Sequence, residues 1–304
     1  MRLFSRRVSL LGAKERLARF GSYRLVLPSE QALAGPPVQR DFPGSAIPCP
    51  PYINGKIEPL LKAPLNATED ISGIADACLL ARRVLTALIA ECTPGKTTSH
   101  LDSLAFKLTT SAGAYPSPLG YMGFPRSICT SINNVACHGI PNDRELVDGD
   151  IVNIDVTVYL DGFHGDTSQT VCVGSGVDEK GALLVQTTRE ALMRAVEVCK
   201  PGVGFKEIGN AVQTLADRKG YAVSPHFCGH GIGRGFHQPP IINHARNNEM
   251  GCMEQGMIFT IEPILCQGSA EYVLWPDNWT AVTKDGGRSA QFGIDILRRT
   301  HYSD

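Results

Sequence analysis

The chain has 304 residues, of which 43% are hydrophobic, and a formal net charge of −1. That length holds one large domain or two small ones, with apolar content enough for a sizeable core. The near-zero charge excludes a globally basic nucleic-acid binder, and ten scattered cysteines, with no C-x-x-C pair and no secretory signal, exclude a zinc cluster or disulfide framework.

The charge is unevenly spread. Residues 1–24 hold seven bases (Arg2, Arg6, Arg7, Lys14, Arg16, Arg19 and Arg24) against one acid, Glu15. An Arg-rich, acid-poor, Ser-containing start has the composition of a mitochondrial transit segment, with a basic arm touching RNA or a ribosome as the alternative. Its apolar run is too short for a membrane span. Residues 25–68 are rich in Pro and Gly and lack periodicity, which predicts an extended linker wrapping the domain surface. The folded domain is expected over residues 69–304. Asp70 is its expected first helix N-cap, followed by Ala75, Leu79, Ala81, Leu85 and Leu88 at helical spacing.

An internal repeat organises the domain. Cys92-Thr93-Pro94-Gly95 returns as Cys199-Lys200-Pro201-Gly202, an offset of 107 residues that also carries Leu101 to Ile208, Gly113 to Gly220 and Asp155 to Glu262. Each half reads helix, Pro-Gly turn, helix, Gly turn, strands. Duplication with acids at matched positions predicts a pseudo-twofold fold that brings equivalent strands together.

Between the repeated helices, Val152, Ile154, Val156 and Val158 alternate with polar residues, as a half-buried strand does. Asp161-Gly162 is a two-residue hairpin turn. In that register Leu160 faces Phe163 and Asp166 faces Thr157, one diagonal step of about 7–8 Å from Asp155 on the same face. Carboxylates so placed can converge on one cation or bridge two, the alternative being solvated surface acids. In FCGHGIGRGFH the alternating glycines let the backbone approach a site, and neither a Rossmann fingerprint nor a P-loop fits. His230 and His237 are candidates there for a ligand and a hydrogen-bonding or acid–base group. Glu262 lies in the apolar run FTIEP and needs a partner.

Taken together, NNVACHGIP, DIVNIDVTVYLDGFHGDTSQT, CGHGIGRGFH, FTIEP and SAQF resemble the type 1 methionine aminopeptidases of peptidase family M24, from about residue 70 to Phe292. With the basic start, the likeness is greatest to the mitochondrial members. The resemblance implies an α/β pita-bread fold, with a pseudo-twofold, curved, mostly antiparallel sheet and helices on its outer face. It implies removal of initiator methionine from nascent chains by water activated at two divalent metals (Co, Mn, Fe or Zn). Asp155 would bind one metal, Asp166 both, and His230 and Glu262 the second. His138 would hydrogen-bond the substrate, and His237 would contact the peptide carbonyl. The methionine pocket would use Tyr121, Phe124, Cys129, Phe236 and Trp279, with Pro118 where bacterial members often carry cysteine. The implied partners are the N-terminal Met of nascent polypeptides, near the ribosome, for a monomer with no nucleic-acid specificity and no membrane attachment. The implied location is the mitochondrial matrix, with the cytoplasm as the alternative.

The resemblance breaks after SAQF. The family has Glu next, bridging both metals; here Gly293 opens GIDILRRTHYSD, which reads as an alternative tail. The repeat suggests that this position answers Asp166. Asp295 shares the face of position 293, but it is displaced and shorter, and is not expected to substitute. A weakened first metal site follows. The competing expectations are an inactive module gripping peptide N-termini and a proline-specific peptidase.

Overall fold

The computed structural model describes residues 11–28, 47–55 and 68–296. Arg2, Arg6 and Arg7 of the transit reading, most of the 25–68 linker and the tail beyond Ile296 lie outside the described residues. A short helix α1 (Ala13–Phe20) and a single turn at Pro51–Asn54 precede the main body. That body holds helices α2 (Thr68–Ala90), α3 (Thr98–Ser111), α4 (Glu179–Glu197) and α5 (Lys206–Lys219).

Thirteen strands are described: β1 (Tyr115–Pro116), β2 (Cys129–Ile132), β3 (Val135–Cys137), β4 (Ile151–Leu160), β5 (Phe163–Cys172), β6 (Ala222–Val223) and β7 (Gly229–Gly231), then β8 (Gln238–Ile242), β9 (Phe259–Ile261), β10 (Ile264–Cys266), β11 (Tyr272–Leu274), β12 (Ala281–Thr283) and β13 (Ser289–Ile296). Ten of them form one sheet, with the path β1-β4-β5-β13-β9-β7-β8, while β11, β12 and β3 form a second, and the described pairings are antiparallel.

The duplication is visible in backbone bonds. Gly95 N donates to Leu146 O and Gly202 N donates to Met253 O, both at 2.8 Å and 107 residues apart. The Thr97–Glu145 bridge recurs as Gly204–Cys252 at the same offset. Two core clusters form, each drawn mainly from one half. Ile74, Leu85, Leu101 and Ile154 belong to the first, and Leu184, Ile208, Ile261 and Phe292 to the second. The two meet where β5 pairs with β13.

Two sequence expectations need correction in α2. The helix starts at Thr68, so Asp70 lies in its first turn rather than at the cap. There the carboxylate favours the helix dipole, and its Oδ1 accepts from Arg234 Nη2 at 2.7 Å. The inward stripe runs through Ile74, Ala77, Ala81, Val84, Leu85 and Leu88, which leaves Leu79 54% exposed.

The hairpin expectation holds residue for residue: Leu160 pairs with Phe163 and Thr157 with Asp166. Asp161 and Gly162 take φ of 48° and 93°, as the two-residue turn requires. Helix α2 presses on β5 so closely at Gly165 that a Cβ there would lie 2.3 Å from Cys78 N. Because neighbours alternate faces, Asp166 projects away from the helices.

Candidate metal centre and peptide pocket

Strand register alone assembles most of the centre. Asp155 on β4 pairs with Ser168 on β5, and Ser168 with Gly293 on β13. The pairing of β13 keeps one register from β10 to β9, which puts Glu262, in the break between them, opposite Gly293. One lateral row therefore reads Asp155, Ser168, Gly293, Glu262. The pseudo-twofold passes between Ser168 and Gly293 and relates Asp155 to Glu262, as the repeat suggests. It also corrects one reading: Gly293 answers Ser168, and the counterpart of Asp166 is Gln291.

His230 enters from β7, which is held to the neighbouring strand by His230 N donating to Thr260 Oγ1 at 2.9 Å. Its Nδ1 lies 3.0 Å from Gly231 O and must donate to that carbonyl, so Nε2 keeps its lone pair. That nitrogen is 3.8 Å from Asp166 Oδ2 and 3.5 Å from Glu262 Oε1. Glu262 is tightly oriented. Its oxygens accept from Thr260 Oγ1 at 2.6 Å and Gln291 Nε2 at 3.2 Å, and its N–H donates to His244 Nε2 at 3.0 Å.

The electrostatics are those of an anion cluster without a counter-charge. Burial raises Asp155, and burial plus the charges of Asp155, Glu262 and Asp295 raises Asp166 well above the ordinary range. Burial pushes Glu262 up to about 8. No Lys or Arg pairs with any of these acids among the described residues. No three His, Cys, Asp or Glu donors among them enclose a single point. Buried acids with one imidazole and no Lys or Arg are the donor chemistry of a divalent transition-metal ion, so the residues fit one.

Position 293 supplies nothing to the cluster. Asp295 is half-buried nearby, where its Oδ2 accepts from Asp166 N at 2.7 Å and Cys78 Sγ at 2.8 Å. Its Oδ1 is buried without a hydrogen-bond partner, and burial raises its pKa to about 7.

A cavity of about 570 Å³ joins these acids to an apolar end, and every sequence-assigned site residue lines it, Pro118 included. Phe124, Cys129 and Trp279 pack together with Ile140. The Tyr121 and Phe236 rings meet at 4.9 Å. His237 lies between the two ends, 4.2 Å from the His230 ring and 4.1 Å from Phe236. His138 takes a φ of 54°, rare for a residue with a side chain and tolerated where function needs the direction. Its neighbour must be Gly139, because a Cβ there would lie 2.1 Å from Thr130 O. Burial pushes His138 down to about 4 and lowers His237 well below its usual value, so both rings are neutral near pH 7.

Sequence reading missed three supporting residues. His164, within the quoted FHGDT run, is buried, stacks on Phe236 at 5.2 Å and shares a 2.8 Å bond with Ser117 Oγ. Tyr52 comes from the Pro-rich segment. It donates to Ser117 O at 2.5 Å and packs edge-on against Tyr121 at 5.0 Å. His244 positions Glu262 from a loop with no sequence signature.

The family model described as metallopeptidase family M24 matches residues 72–297. The chain is 50% identical over 253 residues to "Methionine aminopeptidase 1B, chloroplastic" of Arabidopsis thaliana, covering 83% of this chain and 68% of that protein. It is 49% identical over 229 residues to "Methionine aminopeptidase 1D, mitochondrial" of Homo sapiens, covering 75% and 68%. The crystal structure of methionine aminopeptidase from Rickettsia prowazekii is similar with a TM-score of 0.75 at 43% identity, covering 77% of this chain and 95% of that one. With its pita-bread architecture and acid-rich centre, the chain belongs to metallopeptidase family M24.

Proposed function

We propose that the chain is a methionyl aminopeptidase that removes N-terminal methionine from newly made polypeptides. The observation that carries this reading is the single cavity that runs from the Asp155, Asp166, His230 and Glu262 cluster to a pocket walled by aromatic rings and Cys129. Such a slot suits a flexible thioether. The names of the Arabidopsis, human and Rickettsia relatives support the same reaction.

Asp155, Asp166, His230 and Glu262 would hold divalent metal, which polarises a carbonyl and acidifies water when bound. His230 offers Nε2 because Gly231 O fixes its tautomer. Neutral His138 and His237 can each donate one N–H, to the substrate and to charge developing on the peptide carbonyl. The apolar end excludes water from the side chain.

Gly293 favours a second element of this reading: a centre depleted of one donor, binding metal more weakly than a five-ligand site. The basic start and the mitochondrial relatives support a mitochondrial location. No helix among the described residues is long and apolar enough to cross a membrane.

The test is Met release from a Met-Ala-Ser peptide by the purified chain, with Mn or Co titrated and metal content measured. Metal-dependent release is expected. Release from Ala-Pro peptides but not from Met-Ala-Ser would overturn the specificity, and bound metal without turnover on either would favour a binding module.

A further inference from the structure

The described part of the basic start, residues 13–28, packs into the folded body. Helix α1 ends at Phe20, whose side chain is 0% exposed. The wholly buried guanidinium of Arg288 donates from Nη2 to Phe20 O and to Asp178 Oδ1, each at 2.6 Å. Ser22 N donates to Asp178 Oδ2, and the Tyr23 hydroxyl donates to Gly286 O. Val26 is held like a strand residue by one side chain: its N–H donates to Asn134 Oδ1 at 2.7 Å and its C=O accepts from Asn134 Nδ2 at 3.1 Å. Asn133 Nδ2 donates to Arg24 O at 2.8 Å.

Asn133 and Asn134 form the turn from β2 to β3, and β3 leads directly to His138. The backbone of the same turn accepts from Ser289 N and Thr283 N, both at 2.9 Å, so it also anchors the root of β13.

We propose that residues 13–28 are a permanent strap of the catalytic unit. Proteolytic maturation of this chain ends ahead of Ala13, and the strap braces the turn that presents His138. A cut after Arg24 would take away the Phe20 carbonyl that the buried Arg288 cation uses and the ring that fills its own pocket. It would leave Val26 tethered by Asn134 at a frayed end. Buried donors stripped of acceptors are costly, so the fold resists removal of the segment.

Amide hydrogen exchange on the full chain tests the strap without reference to activity. Val26 is expected to exchange at least about a hundredfold more slowly than in an unstructured peptide. Exchange there at the unstructured rate overturns the proposal. Chains beginning at Ala13 and at Leu25 are then compared. The first is expected to keep the melting temperature and KM of the full chain. The second is expected to melt at least about 5 °C lower, or to be recovered unfolded. Equal melting and equal kcat/KM of the two chains overturn it. For the bracing role, Asn134→Ala in the full chain is expected to raise KM for Met-Ala-Ser while metal content stays constant. A synthetic peptide of residues 13–24 is expected to restore KM to the Leu25 chain where that chain folds. An unchanged KM in Asn134→Ala overturns the bracing.

Discussion

Gly293 stands opposite Glu262 in an unbroken antiparallel register, and a Cβ on the glycine would lie 3.3 Å from the Glu262 Cβ. On the other flank it pairs with Ser168, whose hydroxyl is buried and has no partner. A side chain at 293 therefore emerges in the middle of the acid row. Its Cβ would lie 2.8 Å from Ser168 Oγ, and an unbonded hydroxyl can rotate away. Gly293→Glu is expected to raise Mn affinity and Met-Ala-Ser turnover by about tenfold or more. Calorimetry and steady-state rates check it, with Gly293→Gln as the uncharged control. No gain from Glu over Gln would remove the idea that the centre lacks a donor.

Asp295 is the nearest charge to that gap from the same strand. Asn at this position keeps an acceptor for Asp166 N but removes the negative charge that raises Asp166 and Glu262. Asp295→Asn is expected to stabilise the metal-free chain by about 1 kcal/mol and to weaken metal binding. Melting with and without Mn reads both effects. A destabilised metal-free chain would show that the Cys78 and Asp166 contacts outweigh the repulsion.

The acid cluster also fixes a direction with pH. Glu262 moves from the ordinary 4.5 to about 8 on folding, chiefly through burial, and Asp155 and Asp166 move the same way. A raised carboxyl favours the folded state while protonated. Its contribution is complete below the unfolded value and is lost as pH rises through the folded one. The buried histidines, held well below the ordinary 6.5, act in the opposite sense beneath that pH, so the metal-free chain should lose stability from about pH 6.5 to about 8, and the rescue by a divalent ion should grow over the same window. Denaturant melts in EDTA at several pH values check this. A metal-free chain that gains stability across that window would falsify it.

Tyr52 backs the pocket without lining it. Replacing it with Ala removes the edge contact to Tyr121 and the bond to Ser117 O. KM for a Met peptide should rise about 2- to 10-fold with metal content unchanged. Tyr52→Phe should recover most of the loss, since the ring remains.

The parts of this molecule that are legible in its sequence are those fixed by local chemistry. Asp161-Gly162 dictates a turn, the turn dictates the register, and the register places Asp155 and Asp166 on one face. The repeat pairs Asp155 with Glu262, because a duplication conserves strand position. Long-range pairing is what the sequence hides. Only the β5–β13 register reveals Ser168 as the counterpart of Gly293. Nothing local to Tyr52, His244 or Asn134 says which distant group each will meet. Leu79 shows the limit of periodicity, since it fits the helical spacing yet faces water.

Two core clusters flank the seam, the first of them also drawing in Ile232, Ile258, Trp275 and Val282, and the donors are divided between the halves. Asp155 and Asp166 rise from the first half, His230 and Glu262 from the second. Any ion gripping all four would cross the seam where β5 meets β13, and so would cross-link the two halves. With no donor at Gly293, the strand that zips this seam joins it through backbone bonds, packing and a few side-chain hydrogen bonds such as Asp166 N to Asp295 Oδ2. Metal held there would do more than serve the chemistry: it would set how firmly one half of the molecule is fastened to the other.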